Sequence, residues 1–61
     1  MIVIISMATL ENYERSDGAA GLKRRFEKLT GWPVATCHYT EASPEYLERF
    51  HPRAIFITGV A

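Results

Sequence analysis

The chain has 61 residues, with seven basic and seven acidic side chains and a single cysteine, Cys37. This length suits one small domain or part of a larger one. The balanced charge does not favour a nucleic-acid or membrane-surface partner, for which a basic excess is typical. One cysteine excludes an internal disulfide and a cysteine-based metal cluster.

The first segment, residues 1–7, is predicted to be a β-strand at the centre of the fold. Residues 2–5 are four consecutive aliphatic residues without polar alternation, which is typical of a central parallel strand. The run is too short to span a bilayer and lacks the basic flank of a secretion signal, so we expect a cytoplasmic protein.

A polar connection and then an amphipathic helix are predicted to follow. Residues 8–16 are interpreted as a long loop, with Ser16 or Asp17 as the candidate cap of the helix. Residues 18–30 are predicted to form a helix, because apolar side chains recur in this segment at helical spacing. The predicted buried positions are Ala19, Leu22, Phe26 and Leu29. Gly31 is the expected residue just past the end of this helix.

The second half of the chain predicts a strand, a helix and another strand. Residues 34–40 have moderate β-propensity, and residues 54–58 form a short apolar run. Between them, Ser43, Pro44 and Glu45 are typical of a helix start: a capping hydroxyl, a proline at the first position and an acid in the first turn. The buried positions predicted for this helix are Tyr46, Leu47 and Phe50.

This βαβαβ alternation predicts an α/β fold with a three-stranded parallel sheet and right-handed crossovers. A spatial order of 2-1-3 would place one helix on each face, whereas an order of 3-2-1 would place both on one face. We favour 2-1-3 because residues 2–5 are apolar on both faces. We interpret residues 1–61 as a single partial α/β domain.

The 2-1-3 order also predicts where a ligand would bind. In doubly wound sheets the crevice lies beyond the carboxyl ends of the strands, where the winding reverses. Here it would lie between residues 6–9 and residues 58–60. Gly59 is the candidate site residue, because backbone amides beside a glycine can approach a ligand or stabilise an oxyanion. The alternative is an ordinary strand-ending glycine.

Other candidates have simpler explanations. Cys37 and His38 are neighbours on a strand and point to opposite faces, so we do not expect a nucleophile–base pair, and both are interpreted as packed residues. His51 is interpreted as a helix-end residue. The glycines at 18 and 21 lack the spacing of a phosphate-binding loop, and the basic residues 23–25 are interpreted as a solvated helix face.

Four segments together resemble the start of a class I glutamine amidotransferase domain of the type found in GMP synthase. They are residues 1–8, 22–31, 38–40 and 53–59. The resemblance covers the whole chain, which would be roughly the first quarter to third of such a domain. It implies half of a flavodoxin-like fold and hydrolysis of the side-chain amide of glutamine, with the ammonia passed to a synthetase.

The resemblance also implies what the chain lacks. In the family a cysteine thiolate attacks from a G-x-C-x-G turn, assisted by a histidine and a glutamate. No such turn is present, since Cys37 is flanked by Thr36 and His38. Of the family's functional residues, only the glycine of the oxyanion loop has a counterpart in this chain, which is Gly59. Val60 follows it where the family usually has another glycine.

The expectation is therefore an inactive amino-terminal part of an amidotransferase-like protein, without cofactor or metal. Its expected partner is the rest of that domain or a synthetase. The alternative is a small α/β protein without catalysis that binds a small ligand or self-associates through the edge of its third strand.

Overall fold

The computed structural model describes residues 1–58. In chain order, the elements are β1 (Ile2–Ser6), α1 (Leu10–Arg15), α2 (Ala20–Thr30), β2 (Val34–His38), a 3-10 turn (Tyr39–Glu41), α3 (Pro44–Phe50) and β3 (Ala54–Ile57). None of the helices in this range is long and apolar enough to cross a membrane.

The strands form one parallel sheet in the order β2-β1-β3. Ile2 lies between Val34 of β2 and Ala54 of β3, which sets the register on both sides. All five residues of β1 are buried. The predictions of an α/β fold, of the 2-1-3 order and of a central first strand are confirmed.

Alternate side chains of β1 face two helices on opposite sides of the sheet. The layer under α2 consists of Ile2, Ile4 and Val34, with Leu22, Phe26 and Ala54 packed against them. The layer under α3 is built on Val3, Ile5 and Cys37, with Tyr46, Leu47 and Phe50 among the side chains that cover them. One helix therefore covers each face, because every residue of β1 is apolar until the strand ends at Ser6.

The cap predicted for α3 is present. The Ser43 hydroxyl accepts a hydrogen bond from the Tyr46 amide at 3.1 Å, and Pro44 occupies the first helical position. The helix ends at His51, whose φ of 46° lies in the left-handed region. Gly31 likewise ends α2 with a φ of 72°, as predicted for a residue just past a helix.

The prediction of a loop over residues 8–16 is wrong, because α1 lies within it. The Thr9 hydroxyl accepts from the Asn12 amide at 3.2 Å and so caps the helix. Arg15 contacts Glu11 one turn earlier at 2.7 Å. Local capping and pairing form this helix without a buried apolar stripe, which is why the apolar period did not indicate it.

The predicted start of α2 is also wrong. The helix begins at Ala20 rather than at residue 18, and its N-cap is Ala19, not Ser16 or Asp17. Asp17, Gly18 and Ala19 have φ values of 57°, 66° and 63°, so a left-handed turn precedes the helix. Right-handed helix cannot include residues in that conformation.

Two further details differ from the predictions. Leu29 is 76% exposed rather than buried, because nothing in the described chain covers the last turn of α2. The second strand ends at His38 rather than at residue 40, since the Thr40 amide turns back towards His38 Nδ1 at 3.4 Å.

Candidate functional site

A shallow cleft of about 450 Å³ lies where β1 and β3 end, on the side of the sheet that α2 covers. It is lined by Ser6, Ala8, Asn12, Ser16, Ala19, Gly21, Leu22 and Thr58. This is the edge at which the strand order predicts a ligand crevice. Gly59 and Val60, which the sequence also placed there, lie outside the described residues.

The ends of β1 and β3 are joined by hydrogen bonds that shape the cleft. The Thr58 amide donates to the Ile5 carbonyl at 3.0 Å, and its hydroxyl accepts from the Met7 amide at 3.2 Å. The buried Ser6 hydroxyl accepts from the Ala8 amide at 3.3 Å. The residues that follow β1 are therefore hydrogen-bonded both to the end of β3 and to the last residue of β1.

The opposite wall is the left-handed turn before α2. The Thr36 hydroxyl of β2 donates to the Gly18 carbonyl at 2.7 Å, which fixes the turn to the sheet. The Gly18 amide donates to the Tyr13 carbonyl at 2.9 Å. A Cβ at this position would lie 3.4 Å from the Tyr13 hydroxyl oxygen, and its φ of 66° disfavours other residues.

His38 supports the chain after β1 from the end of β2. Its Nε2 lies 2.7 Å from the Ala8 carbonyl oxygen, which can only accept, so Nε2 carries the proton. Its Nδ1 then accepts from the Thr40 hydroxyl at 2.8 Å. The ring is 1% exposed and contacts the rings of Tyr13 and Tyr39. As interpreted from the sequence, His38 is a packed residue, and its ring does not line the cleft.

The described lining of the cleft offers hydrogen-bonding groups and no acidic or basic side chain. Its lining side chains are hydroxyls, one carboxamide and apolar groups. At the start of α2, the Ala19 amide donates to the Ser16 hydroxyl at 3.3 Å and the Ala20 amide donates to the Ser16 carbonyl at 3.4 Å. The amino end of this helix carries the positive end of the helix dipole. Among residues 1–58, no cluster of histidine, cysteine, aspartate and glutamate could hold a metal ion. The described lining is therefore suited to bind a polar or anionic group.

Cys37 is not placed to act as a nucleophile. It is 1% exposed and packs with Val3 and Ile5 on the α3 face, whereas His38 points the other way. Burial raises the pKa of the Cys37 thiol above its ordinary value of 9.0. The Glu41 carboxylate adds to the rise in pKa, and a hydrogen bond with Tyr46 partly offsets it. Since the thiolate is the reactive form, this environment favours an inert cysteine.

Of the remaining candidates, Gly21 lines the cleft, whereas His51 and the basic residues 23–25 are not among its lining residues. His51 ends α3 and is exposed, and Lys23 pairs with Glu27 across one helical turn at 3.3 Å.

The sequence placed Thr58 at the crevice, as the structure does, but did not indicate the hydrogen bonds by which the hydroxyls of Thr58 and Thr36 hold the two walls, and it did not single out Thr36. The only signal for them is a small hydroxyl residue in or just after a strand, which is common in loops and turns.

Comparison with protein-family models, with curated proteins and with solved structures finds no match for this chain.

The role of His38 is testable by replacing its imidazole with an aromatic ring that has no nitrogen atoms. We expect His38→Phe to lower the free energy of unfolding by about 1–3 kcal/mol, because the buried Ala8 carbonyl loses its donor. Urea denaturation followed by circular dichroism measures the change. His51→Asn is the matched control, since Asn tolerates the left-handed conformation and the site is exposed. Equal stability of His38→Phe and the parent chain would contradict this role.

Stability is also expected to fall in alkali. Desolvation and the neighbouring Cys37 raise the pKa of Tyr46 from 10.0 to about 12. The folded chain thus favours the neutral phenol of Tyr46. The contribution of Tyr46 to the free energy of unfolding is therefore full below pH 10.0 and is lost as the pH rises through about 12. Urea denaturation at a series of pH values in this range should show that the free energy of unfolding falls more steeply with pH for the parent chain than for Tyr46→Phe. Identical slopes would contradict the assignment.

Proposed function

We propose that the chain forms the first βαβαβ unit of a class I glutamine amidotransferase-like domain. The complete domain would hydrolyse the side-chain amide of glutamine and pass the ammonia to a synthetase, in the cytoplasm. The chain by itself would be inactive. The observation that carries this proposal is the cleft between the ends of β1 and β3 in a 2-1-3 parallel sheet.

The position of the cleft supports the proposal. A ligand in a doubly wound sheet binds where the winding reverses, which here is between β1 and β3. The resemblance to the family assigns an oxyanion loop to the residues that follow the third strand. Thr58, which lines the cleft and is hydrogen-bonded to the end of β1, directly precedes Gly59 in the sequence.

The proposal must also account for the chemistry that the described cleft lacks. No described lining residue is an acid, a base or a thiol, and Cys37 lies buried on the α3 face. Amide hydrolysis would need a nucleophile and a base from elements beyond β3. The outer edge of β3 suits such an addition, because Ile55, Phe56 and Ile57 are 45%, 46% and 67% exposed there.

A glutaminase assay tests the proposed inactivity. We expect the purified chain to release no ammonia from glutamine above the buffer rate, because the described cleft supplies no activated nucleophile. Ammonia release is followed with a coupled enzyme, and an intact amidotransferase serves as the positive control. Any turnover that co-purifies with the chain would refute this part of the proposal.

The coding sequence tests the family assignment separately. Reading the transcript beyond codon 61 is expected to show an in-frame G-x-C-x-G turn some tens of residues downstream. A stop codon directly after Ala61, or a continuation without that turn, would contradict the assignment even if the chain is inactive.

A second candidate function, binding of a small ligand without catalysis, is favoured by the polar lining of the same cleft. The Ser6 and Thr58 hydroxyls can donate as well as accept, and residues at the start of α2 (Ala19, Gly21 and Leu22) line the same cleft. A phosphate or similar oxyanion satisfies such donors.

Titration with FMN and with inorganic phosphate, followed by NMR, tests this second function. We expect amide shifts confined to the cleft lining, and their loss in Gly21→Ala, which adds a methyl group to the lining. That change should not unfold the chain, because a Cβ at Gly21 meets nothing within 4 Å and alanine favours a helix. Leu29→Ala, on the exposed end of the same helix, is the control. Shifts spread over the whole surface, or absent for both ligands, would exclude this function.

A further inference from the structure

The charged side chains of the two covering helices are segregated by sign. On the outer side of α2, Arg24, Arg25 and Lys28 are exposed. The fourth cation of this helix, Lys23, pairs with its one acid, Glu27, at 3.3 Å. The exposed surface of α2 is therefore basic, and we call the first three residues the basic face.

The outer side of α3 carries the opposite charge. Glu45 and Glu48 are exposed on this helix, and Glu41 is exposed in the 3-10 turn before it. The helix itself contains one cation, Arg49, which is also exposed. The carboxylates outnumber this cation three to one, and we call the three glutamates the acidic face.

The two faces point away from each other. The helix α2 covers one side of the sheet and α3 covers the other, so the sheet separates the basic face from the acidic face. The two faces of one copy cannot meet, whereas the basic face of one copy can meet the acidic face of another. Three cations then oppose three carboxylates, and this charge complementarity selects a second copy of the chain as the partner.

Each face also brings like charges together within one chain. Arg24 and Lys28 are four positions apart on α2, and Glu45 and Glu48 are three positions apart on α3, spacings at which like charges repel. Elsewhere in the chain, the same helical spacing joins opposite charges in ion pairs of 2.7 and 3.3 Å. Contact between a basic face and an acidic face would offset both repulsions at once.

We propose that copies of the chain associate head to tail, with the basic face of one copy on the acidic face of the next. Different surfaces meet in this contact, so the two end copies each keep one free face and further copies can add. Exposed ion pairs are individually weak and are screened by salt, so the association is weak and depends on ionic strength. This inference goes beyond the proposed function, because it uses neither the cleft nor the edge of β3.

Sedimentation velocity and light scattering at two ionic strengths test the association. We expect a weight-average mass above 6.9 kDa at an ionic strength of about 0.01 M, where the screening length is about 30 Å, and a return to 6.9 kDa at about 1 M, where it is about 3 Å. A monomer at both ionic strengths would overturn the proposal. Association that persists in high salt would overturn it too, since apolar contacts would then join the copies.

Two double variants test the head-to-tail arrangement. Arg24→Gln with Lys28→Gln neutralises most of the basic face, and Glu45→Gln with Glu48→Gln neutralises most of the acidic face. Each variant alone is expected to be monomeric at low salt, and glutamine is compatible with both helices. An equimolar mixture should form a discrete species of twice 6.9 kDa, because the first variant keeps its acidic face and the second keeps its basic face.

The matched control is Glu14→Gln with Asp17→Asn, which removes two exposed carboxylates outside both faces and should leave the association intact. Circular dichroism confirms that each variant is folded. A mixture that stays monomeric, or a control as dissociated as the other variants, would contradict the proposal. Retention of the parent chain on heparin without self-association would assign the basic face to another anionic partner and overturn it. None of these results bears on the proposed function.

Discussion

The fold depends on the burial of β1 on both of its faces. Ile2, Val3 and Ile4 are 2%, 0% and 1% exposed, so neither side of the strand can be left to solvent. Two right-handed crossovers cover both sides only if the chain winds first one way from β1 and then the other. The reversal opens a cleft beside β1 at the carboxyl edge of the sheet. The candidate site is therefore a consequence of how the central strand is covered.

Side chains at or near the strand ends then give the cleft a defined shape. Thr58 holds the end of β1, Thr36 holds the turn before α2, and His38 holds the carbonyl of Ala8. Each of these hydrogen bonds joins a side chain to a backbone amide or carbonyl group that would have no partner within a helix or strand. Buried and partly buried polar groups arranged in this way favour one conformation, because leaving a buried group unpaired costs more free energy than its hydrogen bond contributes. The cleft is thus held by groups that would not themselves contact a ligand, apart from Thr58.

On the β3 side of the described chain, exposed apolar side chains lie next to the cleft. Ile55, Phe56 and Ile57 are exposed there, and the described lining of the adjoining cleft has hydrogen-bonding groups but no acid, base or thiol. A further strand on this edge would cover the apolar residues and bring new side chains to the same end of the sheet.

The sequence alone determined the order of the strands and the two helices that cover them. An unbroken aliphatic run, an apolar period of a helix and a Ser-Pro-Glu start are local patterns, and each reports which faces must be buried. It did not determine α1, the left-handed turn before α2 or the exposure of Leu29. These depend on capping bonds, on the contact between Gly18 and Tyr13, and on whether another element lies against the last turn of α2. The bonds of α1 and of the turn join residues three to five positions apart and so are local, although the apolar period does not report them. Only the tertiary structure decided that the Thr36 hydroxyl holds the Gly18 carbonyl and that no described element covers Leu29, because the local pattern does not encode which distant residues meet in space.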